Sequence, residues 1–307
     1  MNTPEGKLRR RVRLNAPAKI NLHLEVLRLR HDGYHDIETI LQAIDLQDTL
    51  QVTLLETFDA GTAPELELLV KPAGSVTDGD DNLCIQAALL FCREQRVSGH
   101  LQMELQKDIP VGAGLGGGSS DAMAVLIACD RLFKTNLDQK DLEAMGAMIG
   151  SDVPFFAAGG TQLGRGRGTK LTPLPALRSG TIVLLKPHFS CDTGNTYGAL
   201  KMGLTVRTPA ANLQVIKSLI VKFFDRPWFG FNRLEEVVLP TYPELSRILL
   251  RLREEAPVAM LSGSGSAVFG ILQRSEQADA LIHEFSAQVK FARTVTPLPR
   301  GVQVLEG

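Results

Sequence analysis

The chain is sparing with cysteine and arranges none of it as a pair. Cys84, Cys92, Cys129 and Cys191 stand alone or in apolar stretches with no C-x-x-C spacing, which favours reduced core thiols over a disulfide framework. The six histidines supply no H-E-x-x-H, and no Cys/His cluster has zinc spacing, so no protein-held metal is expected and any metal should arrive with the substrate. Neither sign of charge dominates: the formal net is -1, which gives no field to favour nucleic acid. The basic run from Lys7 to Arg13 is the local exception, and its alternation with Val12 and Leu14 reads as a solvated strand edge. Long apolar runs are missing too. The longest, Ala122 to Cys129, is too short to span a bilayer, and the basic start of the chain leads into no signal-like apolar segment. These absences point to a cytoplasmic protein without nucleic-acid or membrane partners, and they leave monomer and homodimer both open. What is present is size: 307 residues at 44% hydrophobic content can fill two ordinary domains.

The even positions from Val12 to Val26 are all apolar and most odd ones polar, the pattern of a half-buried strand. Pro17 cannot donate to a ladder, so a break or bulge is expected there, leaving parity across it open. Beyond it Lys19, Asn21 and His23 share one face. Ile37 to Asp45, Thr49 to Leu55, Leu66 to Val70 and His100 to Leu105 read as further strands of an antiparallel sheet with one wet face. Helices are expected from a cap at Asp81 or Asn82 through Arg96, from a Ser119 cap to Phe133, and from Asp138 to Ile149. Past a Gly/Arg-rich turn at Gly159 to Gly168, strands read at Thr181 to Leu185, Val258 to Leu261 and Ala267 to Leu272. Helices read near Asn212 to Phe224, Tyr242 to Glu255 and Gln277 to Gln288. Strands and helices interleave without a repeat, which favours an α+β class.

The most informative stretch runs from Pro110 through Asp121. Gly112, Gly114, Gly116, Gly117 and Gly118 free the backbone of side-chain bulk, and the chain then enters a helix whose unpaired N–H groups point back at the loop. Such a surface suits phosphate, with Ser119 and Ser120 adding hydroxyls. The same glycines satisfy G-x-G-x-x-G. A dinucleotide loop, however, follows a buried parallel strand and opens a βαβ unit, whereas here an alternating segment ends in Pro110 and a second helix follows the first. No G-x-x-x-x-G-K-[ST] exists. A phosphate cradle of a third kind remains.

Three stretches resemble the motifs of the GHMP kinase superfamily, in that family's order: Ala16 to Leu22, the glycine-serine loop, and Leu261 to Gly270. Asp32-Gly33-Tyr34-His35, Ile149 to Phe156, and Leu163-Gly164-Arg165-Gly166-Arg167-Gly168 resemble its diphosphocytidyl-methylerythritol kinase branch. The resemblance implies a ribosomal-protein-S5-like N-terminal domain, taken as 1–164, and a ferredoxin-like C-terminal domain, 165–307, with the active site between them. It implies transfer of the γ-phosphoryl group of ATP, Mg²⁺ being carried with the nucleotide, to the tertiary 2-hydroxyl of a diphosphocytidyl-methylerythritol on the non-mevalonate route to isoprenoids. Homoserine, mevalonate or a sugar is the alternative acceptor.

By the same resemblance Lys19 and Asp152 are catalytic. Asn82, Lys107, Pro110, Gly112, Gly114, Leu115, Gly116, Gly117, Gly118, Ser119 and Ser120 bind ATP, with Asn82 and Lys107 near the adenine. Asn21, Tyr34, His35, Thr193 and Tyr197 bind the acceptor, the two tyrosines sandwiching cytosine while His35 reads its edge. Taken alone, Lys19 would be a solvent-facing strand lysine, Asp152 a turn or helix cap, Tyr34 and His35 a loop tip, and Lys107 and Asn82 surface or cap residues. Arg233 stands where the branch commonly has a carboxylate.

Overall fold

Apolar alternation builds a long first hairpin. In the computed structural model, which describes residues 10–177, 180–200, 230–272 and 274–306, β1 (Arg10–Leu29) pairs antiparallel with β2 (His35–Phe58). The helix expected near Asn212 to Phe224 and the start of the basic run at Lys7 lie outside the described residues. The ladder slips between Pro17 and Ala18, where the missing proline N–H removes a rung. The slip also settles parity. Val12, Leu14 and Ala16 belong to one core, while Ala18, Ile20 and Leu22 belong to another. Beyond the slip the face carrying Lys19 and Asn21 is covered rather than wet, with only 3% and 2% of these residues exposed. The two strands expected within 37–55 are one, because β2 passes the slip without interruption.

After β3 (Glu65–Lys71), α1 (Leu83–Gln95) carries the chain across to β4 (Ser98–Gln106), so β3 and β4 pair in parallel, correcting the expected antiparallel sheet. Then come α2 (Gly117–Phe133), α3 (Gln139–Ile149), α4 (Phe155–Ala158), β5 (Thr161–Gly166) and β6 (Lys170–Pro173). Asn82 and Asp138 cap α1 and α3 as expected. Most of the expected Gly/Arg-rich turn is β5, which satisfies the ladder groups of β2 from Ile37 to Gln42. Helices α1 and α2 cover this sheet through Phe91, Val125 and Leu126.

A second sheet follows. Its elements are β7 (Thr181–Lys186), α5 (Thr193–Gly198), β8 (Phe231–Asn232), α6 (Glu235–Thr241), α7 (Pro243–Glu255), β9 (Val258–Leu261), β10 (Val268–Leu272), α8 (Ser275–Phe285) and β11 (Phe291–Val295). The strands run in the order β11-β7-β10-β9, antiparallel throughout, which is the ferredoxin-like arrangement; the short β8 joins β1 instead. One face of this sheet meets the first across Ile20, Ile44, Leu184, Met260 and Phe269, and the other lies under α7 and α8. The chain then returns, with Leu298 N–H on Ala43 O and Val302 N–H on Phe156 O, and β12 (Gln303–Glu306) adds to β1. The expected division at 164/165 falls inside β5, and the change of sheet comes between β6 and β7.

The four cysteines are buried and unpaired, and burial pushes the thiols of Cys84 and Cys129 well up. Among the described residues no helix is long and apolar enough to cross a membrane.

Candidate active site

Lys19 leaves β1 just past the slip. Its N–H donates to Leu115 O at 2.9 Å, which ties the strand to the glycine loop. Its Nζ donates to Asn21 Oδ1 at 2.7 Å and lies 3.4 Å from Asp152 Oδ2. Asn21 Nδ2 donates in turn to Thr39 Oγ1 (2.8 Å), and that hydroxyl donates to His23 O (2.7 Å). The lysine is therefore aimed by a chain of hydrogen bonds that starts on the backbone. Asp152 sits in the turn between α3 and α4, its side chain 41% exposed, so the buried cation backs an accessible carboxylate.

The loop between β4 and α2 has positive φ at Gly112, Gly114 and Gly116. Gly116, rather than Ser119, is the N-cap of α2; it supplies no side-chain cap, so the first N–H groups of α2 are left for another acceptor. Ser119 lies in the first helical turn. A Cβ at Gly114 would stand 2.1 Å from Ser262 O, because the third motif, the turn from Ser262 to Ala267, packs directly on the loop. Ser262 Oγ donates to Gly114 O (3.0 Å) and Ala267 N–H to Ala113 O (3.0 Å). Asn232 Nδ2 fixes the turn from behind, donating to Leu261 O (2.9 Å) and Gly263 O (2.7 Å).

Lys107 is a brace under the loop and not a surface residue. Its Nζ bonds Asp48 and, at 2.7 Å, Asp121, while Asp48 Oδ1 accepts the N–H groups of Asp108 (2.6 Å) and Ile109 (2.9 Å). Burial alone would lower the lysine pKa, but the two carboxylates outweigh it and raise it. Burial also pushes Asp121 up to about 8 against the pull of Lys107, with Asp48 adding to the rise. Asn82 is occupied as a cap, accepting from Cys84 N–H at 2.8 Å. Ser120 is fully buried.

A cavity of about 630 Å³ is lined by Lys19, Asn21 and Asp152, by Gly114, Gly116 and Ser119, and by Tyr34, His35, Thr193 and Tyr197. Asn82, Lys107, Pro110, Gly112, Leu115, Gly117, Gly118 and Ser120 stand outside it. His35 lies 5.2 Å from Tyr197, ring to ring, while the half-exposed Tyr34 carries the Arg167 guanidinium 3.8 Å from its centroid. Each side of the expected base sandwich thus already has a partner in this structure. Burial, helped by Asp152, pushes the Tyr197 phenol far up, and burial lowers His35. Thr39, Ser151, Arg167, Gly263 and Ser264 also line the cavity and were not assigned from sequence. The last three belong to glycine-rich motifs already noted, and Ser264 Oγ lies 2.7 Å from Thr193 Oγ1.

Residues 82–160 match the model of the GHMP kinases N terminal domain and residues 223–290 that of the GHMP kinases C terminal domain. A 4-diphosphocytidyl-2-C-methyl-D-erythritol kinase of Solibacter usitatus is 38% identical over 86% of this chain and 82% of its own length. One of Alkaliphilus oremlandii is 36% identical over 96% and 99%. The chain belongs to the 4-diphosphocytidyl-2-C-methyl-D-erythritol kinase family. A crystal structure of a 4-(cytidine 5'-diphospho)-2C-methyl-D-erythritol kinase superposes with a TM-score of 0.72 at 32% identity, covering 94% of this chain and 99% of the other. A homoserine kinase from Cytophaga hutchinsonii reaches 0.74 at 16% identity, a likeness of fold alone.

Arg233, the cation singled out in the sequence, has local partners. Arg233 forms a two-pronged pair with Glu25 of β1 (2.8 and 2.9 Å) and bonds Glu236 at 2.5 Å. Its guanidinium also lies 4.8 Å from the Phe231 ring centroid, and the residue lies outside the cavity. It therefore fastens β8 to β1.

Proposed function

We propose that this chain phosphorylates the 2-hydroxyl of 4-diphosphocytidyl-2-C-methyl-D-erythritol with ATP, in the non-mevalonate route to isoprenoid precursors. The observation that carries this reading is the Lys19–Asp152 pair, 3.4 Å apart, facing one cavity bordered by the glycine loop and by His35 and Tyr197. A tertiary alcohol is a weak nucleophile until its proton is leaving. Asp152, the accessible carboxylate, would accept that proton and hold the oxygen in line with the γ-phosphorus. Lys19, fixed through Asn21, would stabilise the charge developing between acceptor oxygen and phosphate.

The triphosphate fits the N-terminus of α2, where Gly116 gives the first N–H groups no side-chain cap and the helix dipole favours an anion. Mg²⁺ carried with ATP would offset the remaining charge, and Ser119, a hydroxyl at the cavity edge, is suited to meet it. On this reading the nucleotide belongs to the first domain, and the second closes the cleft through the Ser262 turn. The test is incubation of the purified protein with ATP, Mg²⁺ and a panel comprising this acceptor, homoserine, mevalonate and a sugar. Phosphorylated product is expected from the cytidine-bearing acceptor; equal turnover of a methylerythritol phosphate lacking cytosine would sink the reading.

A further inference from the structure

We infer that Arg167 is the anion contact of the acceptor site and grips the diphosphate that joins the acceptor's cytidine to its methylerythritol; this rests on the acceptor proposed above. Arg167 stands in the turn between β5 and β6, and its side chain lines the cavity. Its neighbours among the arginines are spoken for. Arg165 pairs with Glu38 at 2.8 Å, Arg30 with Asp32 and Asp36, and Arg233 with Glu25 and Glu236. Arg167, by contrast, has no carboxylate oxygen within ion-pair distance among the described residues. Asp32, the nearby acid that feels its charge, spends its oxygens on Arg30 and on the Tyr34 N–H. Among the described residues the buried Nε–H of Arg167 has no hydrogen-bond partner, and Nη2 reaches only Ser151 Oγ, at 3.5 Å.

An unsatisfied buried guanidinium N–H is costly, and a planar fork of donors matches phosphate oxygens. Position decides which phosphate. The guanidinium touches Tyr34, on the side assigned to the base, and Ser151, the residue before Asp152, on the side assigned to the reacting hydroxyl. A cation between those two ends meets the group that lies between them in the acceptor. The stacking on Tyr34 holds the fork in place for it.

The test compares binding of CDP and of cytidine by calorimetry, with a saturating non-hydrolysable ATP analogue present, in wild type, Arg167→Gln and Arg167→Lys. Wild type is expected to prefer CDP by about tenfold or more, the scale of a charge-assisted contact. In Arg167→Gln that preference should collapse while cytidine binding holds, and Arg167→Lys should keep part of it. Acceptor KM should rise by roughly tenfold to a hundredfold in Arg167→Gln with the ATP KM little moved. A folded Arg167→Gln protein that keeps the preference overturns the inference. So does one that loses CDP and cytidine equally, since that marks Arg167 as a support for Tyr34 only. Turnover of the complete acceptor by wild type is run alongside. Its failure removes the acceptor assignment and this inference together, whereas turnover with an unchanged CDP preference in Arg167→Gln removes Arg167 alone.

Discussion

Lys19 is the residue whose surroundings depart furthest from what its strand suggests. A lysine on the polar face of an alternating strand should reach water, yet the slip at Pro17 swings this face under the glycine loop, and Asn21 and Thr39 fix the ammonium beside Asp152. Asp152→Asn, nearly isosteric but no longer a proton acceptor of the same kind, is expected to lower kcat by roughly 10² to 10⁴ with ATP affinity within a few-fold. Lys19→Ala should also fall mainly in kcat, and the double variant should lose less than the product of the single losses. Single-turnover measurements at saturating substrates decide this, and near wild-type rates in a folded Asp152→Asn enzyme would exclude Asp152 as the base. Tyr197, packed against His35, lines the same cavity and is assigned to the acceptor's base. Because base stacking is worth about 1 to 3 kcal/mol, Tyr197→Ala should raise the acceptor KM by roughly tenfold to a hundredfold and leave the ATP KM alone. A rise in the ATP KM instead would move Tyr197 to the nucleotide side.

At the scale of elements, the α2 N-terminus separates glycines whose added Cβ would meet close neighbours from one with room for a methyl group. A Cβ at Gly116 would stand 2.9 Å from Phe156 and 3.0 Å from Lys19, and one at Gly117 would stand 3.0 Å from Ile109. Valine at either position therefore disturbs the scaffold before it disturbs a phosphate. Gly118, with Leu83 at 3.5 Å, has room for a methyl group. Gly118→Ala should hold or raise stability, by about 0.5 to 1 kcal/mol for a helical position, and weaken ATP by roughly tenfold if the first turn carries the triphosphate. Denaturation curves and calorimetry read the two effects separately, and unchanged ATP affinity would take the phosphates away from this turn. The helices capped by Asn82 and Asp138 and the strands of strict alternation were legible in the sequence, because their signals are local. The crossover that makes β3 and β4 parallel was not, nor was β5, since both are set by which edge is left to pair. Of the cavity lining, the residues of the motifs were noted from sequence, and Arg167 was noted only as part of its motif, because its place against Tyr34 is set by the turn between β5 and β6. The brace of Lys107 by Asp48 and Asp121 joins residues 59 and 14 positions apart, beyond the reach of any local pattern.

The whole molecule is closed by its last segment. Thr296 bonds Asp45, Leu298 and Val302 bond backbone at Ala43 and Phe156, and β12 completes the sheet beside β1. Gly301 lies so near that a Cβ would stand 2.1 Å from Phe156 O, four residues beyond Asp152. Gly301→Ala should thus cost about 1 to 3 kcal/mol, the usual range for overpacking, and lower the thermal midpoint by several degrees. A midpoint equal to wild type would mean that this return is not under close packing. The contact of Gly114 with Ser262 has a longer reach, because it makes two distant stretches of sequence a matched set. A hybrid that takes its first half from this chain and its second from a distant relative inherits a glycine loop shaped for one particular turn. Recombination within such a family is then tolerated where both stretches travel together, and the constraint falls on the seam between the sheets more than on either sheet's interior.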